Sequence, residues 1–188
     1  MKNNAQFIFF GLFLVLFSWT ACEQDEAVIP SEETLITTLT YTLIPNGGGD
    51  VVVLQFQDLD GDGGNAPIIT GGTFTASTVY SGTLELFNAA VTPAEDIIAE
   101  IDEGREEYQF FYTPNNNVDL DFSYGDVDGQ GRPVGILTSL TVGNPSAGTL
   151  TITLRHELNK LVGGASSGLI ENADGETAFE MTFPVTVQ

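Results

Sequence analysis

Cysteine is all but absent from this chain: Cys22 stands alone among 188 residues. A domain with one thiol closes no disulfide within itself. That excludes the cystine frameworks of small secreted folds and the inter-sheet cystine of antibody domains. Histidine is as scarce, with His156 alone, so no paired-histidine zinc site can form. Bases are few: five Lys and Arg face 26 Asp and Glu, a formal net charge of −21. Phosphate binding needs a basic surface, so nucleic acid is excluded as a partner, as is docking on anionic headgroups by charge. No G-x-S-x-G elbow and no phosphate-binding glycine loop occurs. No apolar run reaches the roughly 20 residues that a membrane helix requires.

What is present begins with an address. Phe7 to Phe17 (FIFFGLFLVLF) is apolar and follows Lys2, as in a signal peptide. Ala21 and Cys22 close the leader, with Trp19 three places before the cysteine. This ending resembles a bacterial lipobox, which implies a lipidated Cys22 as the mature N-terminus. A thioether-linked cysteine also accounts for a lone thiol in an exported protein. The acidic EQDEA that follows resembles the surface-export signal of Bacteroidota lipoproteins; the periplasmic face of the outer membrane is the alternative. Residues 1–21 thus read as a lipoprotein signal peptide, 22–34 as a lipidated acidic tether and 35–188 as one domain. Removing the leader takes away Lys2 and no acid, which leaves Arg105, Arg132, Arg155 and Lys160 as the only bases.

From Leu35 the pattern has period two. LITTLTYTLI alternates apolar residues with threonine, NGGG (46–49) marks a turn, and VVVLQF (51–56) continues as a hairpin partner. Further strands are expected at 73–80, 82–88, 108–113, 118–124, 135–142, 148–156 and 178–187. Many short strands between Gly, Asn, Asp and Pro turns predict an all-β chain, an antiparallel β-sandwich that is immunoglobulin-like in architecture only. One short acidic helix is expected at about 93–103. There TPAEDIIAEIDEG offers Thr92 as N-cap, Pro93 at the first helical position and Glu95 as the capping-box partner, with Ile97, Ile98 and Ile101 as the apolar stripe.

The stretches LTYTLIPNGGGDVVVLQFQDLDGDGGNAPIITGGT and GTLTITLRHELNK, with the lipobox, cover most of the chain. They resemble small Bacteroidota outer-membrane lipoproteins of all-β type that carry no assigned activity. That resemblance implies a membrane anchor and an all-β fold, and brings no catalytic residues. Lipoproteins of this kind often assist TonB-dependent outer-membrane transporters or serve as surface binding proteins.

Three places carry candidate chemistry. Asp58, Asp60 and Asp62 occupy positions 1, 3 and 5 of D-x-D-x-D-G, the first half of an EF-hand loop. Alternate carboxylates on a tight turn converge, and calcium takes hard oxygens. Position 12 is Ile69 and no helix flanks the loop, so the motif is no EF-hand but a candidate hairpin-loop Ca2+ site. Asp126 and Asp128 repeat the spacing in YGDVDGQGRPVG. Asp and Gly are also the ordinary residues of tight turns. His156 and Glu157, in RHELNK, are a candidate base or metal pair, though strand neighbours point to opposite faces unless the strand ends there. Arg155, His156 and Lys160 read most simply as salt-bridge partners. The function expected is therefore a lipid-anchored, non-enzymatic binding or accessory protein of the outer membrane, facing the cell surface, with calcium in a structural role. A hydrolase on glycans or peptides and a metal-capturing lipoprotein are the alternatives.

Overall fold

Threonine and serine alternate with large apolar residues along most of the chain, and each such stretch buries one side. The computed structural model describes residues 35–61, 64–115, 117–161 and 164–188. The expected signal peptide, Cys22 and acidic tether lie outside them. In strand β1 (Thr38–Pro45) Leu39, Tyr41 and Leu43 are fully buried while the threonines between them are half-exposed. Strand β2 (Val52–Gln57) lies antiparallel to it, as the NGGG turn implies, and sets Leu54 opposite Tyr41 and Phe56 opposite Leu39.

The remaining strands are β3 (Ile68–Thr70), β4 (Gly72–Phe74), β5 (Val79–Asn88), β6 (Glu95–Asp96), β7 (Gln109–Pro114), β8 (Leu120–Tyr124), β9 (Leu137–Val142), β10 (Ser146–His156) and β11 (Glu176–Val187). Among the described residues they make two sheets. One has the order β3-β2-β1-β5-β9-β8, with β6 beside the end of β5; the other runs β4-β11-β10-β7. All pairs are antiparallel except β4 with β11. The inward residues of both sheets merge in one core, which includes Tyr41, Leu84, Phe110, Ile152 and Phe183. This is the all-β sandwich that the alternation predicts.

Two local expectations differ from the structure. The stretch 73–80 is two strands in two sheets. Phe74 belongs to β4, the chain turns at Ser77 (φ 55°), and Val79 opens β5 in the opposite sheet. Phe74 and Tyr80 still meet edge-to-face in the core, with ring centroids 5.5 Å apart. The helix α1 runs Ile97–Glu103, later than the capping box suggests. Glu95 and Asp96 pair with Asn88 and Phe87 of β5, so the backbone is extended there. Asp96, not Thr92, caps the helix: its carboxylate accepts the Ile98 N–H at 3.0 Å. Ile97 and Ile101 join the main core as the stripe requires, and Gly104 closes the last turn on the Glu100 carbonyl.

Candidate functional site

The first Asp-Gly loop joins β2 to β3, so it is a hairpin loop as expected. Asp58 accepts the Gly61 N–H at 3.0 Å. Asp60 Oδ2 accepts both the backbone and side-chain N–H of Asn65, at 2.9 and 3.0 Å. The backbone bond from Asn65, above all, holds the Asp60 carboxyl below its usual range. These bonds shape the loop from its own carboxylates; Asp60 is exposed and Asp58 half-buried. Asp62 lies outside the described residues.

The second loop is engaged differently. Asp126 sits across the start of β9, where Oδ1 accepts Gly135 N at 2.9 Å and Leu137 N at 3.2 Å, and Oδ2 accepts Ile136 N at 3.3 Å. Asp128 Oδ1 accepts Gln130 N and Arg132 N, both at 2.9 Å. Its other oxygen stands 3.5 Å from the Lys160 ammonium, and both side chains are fully buried. Lys160 Nζ also donates to the carbonyls of Arg105 (2.6 Å) and Pro133 (2.8 Å), so two backbone acceptors hold the ammonium beside the carboxylate. Gln130, the third ligand of the sequence motif, accepts from Arg132 at 2.6 Å. Asp128, the second carboxylate of the D-x-D spacing, thus faces Lys160, a residue 32 positions further along that no local motif could reveal.

Burial works against both charges of this pair. It lowers the Lys160 ammonium's pKa, partly offset by Asp128. It raises that of Asp128, but the Arg132 and Gln130 amides and the Lys160 charge outweigh it, so the carboxyl titrates below its usual range.

His156 ends β10, and Glu157 leaves the sheet in the left-handed region at φ 52°. The two side chains are not brought together as a site. Instead the imidazole stacks on Tyr108, with centroids 6.2 Å apart, and lies 3.8 Å from Glu176 on the neighbouring strand. Among the described residues, no group of three or more His, Cys, Asp or Glu side chains is placed to hold a metal ion.

The feature that sequence reasoning missed is a cleft where the two sheets end side by side. β7 and β8 are the last strands of their sheets on this flank, and Tyr112 stacks on Phe122 across the gap at 5.0 Å. The cleft holds about 180 Å³. Tyr112, Phe122, Tyr124, Leu120, Pro114 and Thr138 line it, with Asp121, Ser123, Ser167 and Gly168 at the wall. Tyr124 donates its hydroxyl to the Phe110 carbonyl and accepts from Gln109. Burial, with a smaller opposing effect from the Gln109 bond, pushes its pKa up to about 12, so the phenol stays neutral. Tyr112, more deeply buried, is also raised well above the ordinary phenol range by burial, and donates to the Gly135 carbonyl.

The wall at Ser167–Gly168 belongs to the segment between β10 and β11, which crosses the outer face of the smaller sheet. Phe111 points away from the main core into this segment and packs with Leu158 and Ala165. Gln109 Nε2 holds the Ala165 carbonyl at 2.6 Å. Gly168 sits at φ 73° against the Tyr124 ring, where a side chain would strain the backbone. Lys160 anchors the same segment to the Asp128 loop. The acidic loop therefore positions a wall of the cleft.

No protein-family model, curated protein or solved structure matches this chain. The structure by itself defines the class: an all-β sandwich of two sheets with an aromatic cleft at the flank where both sheets end.

Proposed function

We propose that this protein is a lipid-anchored binding or accessory protein of the outer membrane, held by Cys22 and facing the cell surface, where it serves a partner such as a TonB-dependent transporter. The cleft between β7 and β8 carries the binding part of this reading. Its lining combines aromatic faces with serine and threonine hydroxyls. Among the described residues Asp121 is the only carboxylate of the lining, whereas glycoside cleavage works with two. His156 stands apart, stacked on Tyr108. That composition favours holding a ligand over hydrolysing one. The anchor part rests on the leader, the lone cysteine and the acidic run after it. Structural calcium belongs to the 58–62 loop, where Asp60 is exposed and Asp58 half-exposed.

Radiolabelled palmitate fed to expressing cells should label the wild-type chain and leave Cys22→Ser unlabelled, and protease added to intact cells should degrade the labelled protein. A chain that takes up no label overturns the anchor, and a labelled chain that resists protease on intact cells overturns the outward orientation.

A further inference from the structure

We propose that the free edge of β8 pairs with an extended, basic segment of a partner protein. The segment would add a strand to the larger sheet and seat one of its side chains in the cleft. This rests on the binding reading above and is independent of the lipid anchor.

The hydrogen-bond alternation of an antiparallel pair shows which groups are free. Gly125 N donates to Leu137 O at 2.8 Å, and Gly143 N donates to Asp119 O at 2.9 Å. These two bonds fix the phase: 119, 121, 123 and 125 exchange bonds with β9, and Leu120, Phe122 and Tyr124 direct N–H and C=O away from it. Beyond them the sheet has no further strand, and none of their amides donates to another group among the described residues. Such a row is a template for a further strand, and folded proteins usually block it with lysine, proline, a bulge or a covering segment. β8 reads LDFSY and has neither residue, and its register with β9 runs without a shift. The neighbouring edge is treated otherwise. On β7, Phe110 N is taken by the Val134 carbonyl at 2.7 Å, and Pro114 has no N–H.

The cleft sets the side-chain part of the recognition. Ligand pockets for whole small molecules hold about 300–1,000 Å³. At about 180 Å³ this one suits a single side chain. Phe122 and Tyr124 turn their rings into it, so alternate residues of an added strand would point the same way. Charge selects the occupant. A net −21 makes a second copy of this chain repel, whereas the Asp121 carboxylate, exposed on β8 and bridged to no base among the described residues, attracts a lysine or arginine.

Amide hydrogen exchange on the full lipidated chain in detergent tests this. The probe is a peptide of alternating lysine and valine; the control has equal charge, with proline at alternate positions. In the chain alone, Phe122 and Tyr124 amides should exchange fast and those of Asp121 and Ser123 slowly. The lysine–valine peptide should slow Phe122 and Tyr124 on the order of tenfold or more, and the proline peptide should not. Asp121→Lys should keep the exchange pattern of the free chain and weaken peptide binding several-fold. Slow Phe122 and Tyr124 amides in the free chain, an equal response to both peptides, or no response to either overturns the proposal. Protection that grows with protein concentration and needs no peptide also overturns it, because the occupant is then a second copy. Palmitate labelling of the same preparation separates the two readings. Labelled protein without edge pairing refutes only the edge proposal, and unlabelled protein refutes only the anchor.

Discussion

At the scale of single residues, Lys160 decides more than its exposed charge class suggests. Its ammonium is buried with Asp128 and satisfied by two backbone carbonyls. Removing one partner of such a pair leaves the other buried and unpaired, a loss of about 3–5 kcal/mol. Lys160→Met should therefore lower stability by that order in urea unfolding, and adding Asp128→Asn, which removes the charge but keeps an oxygen for the Gln130 and Arg132 amides, should restore part of it. A single variant as stable as wild type would show that the pair is not buried in solution. Asp119 is a gentler case. Asn144 holds its carboxyl below the usual range, first through the backbone N–H at 2.7 Å and then through the side chain at 2.9 Å. A depressed carboxyl stabilises the fold above the unfolded pKa, and that contribution disappears as pH falls through the folded value. Asp119→Asn should melt below wild type at pH 7, and the gap should narrow as pH falls through the carboxyl's lowered range, read by thermal melts along a descending pH series.

At the scale of elements, periodicity was a good guide wherever one strand keeps one face in the core. β1, β2, β5 and β11 follow it, because period-two burial writes itself directly into composition. Short pieces escaped: β3 and β6 span three and two residues, too few to show any period. The helix start was misjudged for a tertiary reason, since pairing of Glu95 and Asp96 with β5 overrides a local capping box. The D-x-D spacing at 126–128 was legible as a turn but not as a lysine socket. The cleft was invisible in the sequence, since aromatic residues at alternate strand positions read as core. The segment over the smaller sheet depends on one such residue. Phe111 is fully buried against Leu158 and Ala165. Phe111→Ala should cost about 3–5 kcal/mol in urea unfolding. It should also make 157–175 the first site of cleavage in limited proteolysis, because Phe111 is what that segment packs upon. Cleavage that begins elsewhere would show that the Lys160 and Gln109 contacts hold the segment without it.

At the scale of the whole molecule, charge is the dominant design feature, and it is unevenly placed. The helix and its flanks concentrate acid at Glu95, Asp96, Glu100, Asp102, Glu103, Glu106 and Glu107. The outer face of the larger sheet carries Thr38, Thr40, Thr42, Ser81 and Thr83, with Glu85 among them. Self-repulsion of a −21 chain opposes compaction, and salt screens it with a Debye length of about 8 Å at 0.15 M. The melting temperature should thus rise as sodium chloride is raised from low salt toward 0.15 M. Calcium must be distinguished from this general effect. A specific ion bound only by the native state raises the midpoint further at matched ionic strength, by an amount that grows with its concentration. Millimolar calcium should therefore exceed sodium chloride of equal ionic strength, and chelator should reverse the excess. In Asp58→Asn/Asp60→Asn that excess should vanish while the sodium response stays, since the double variant removes only two of 26 acids. An excess that survives the double variant would place calcium elsewhere on the acidic surface. Identical midpoints in the two salts for the wild-type chain would remove calcium from the account of this fold and leave Asp58 and Asp60 as acceptors for the loop's own amides.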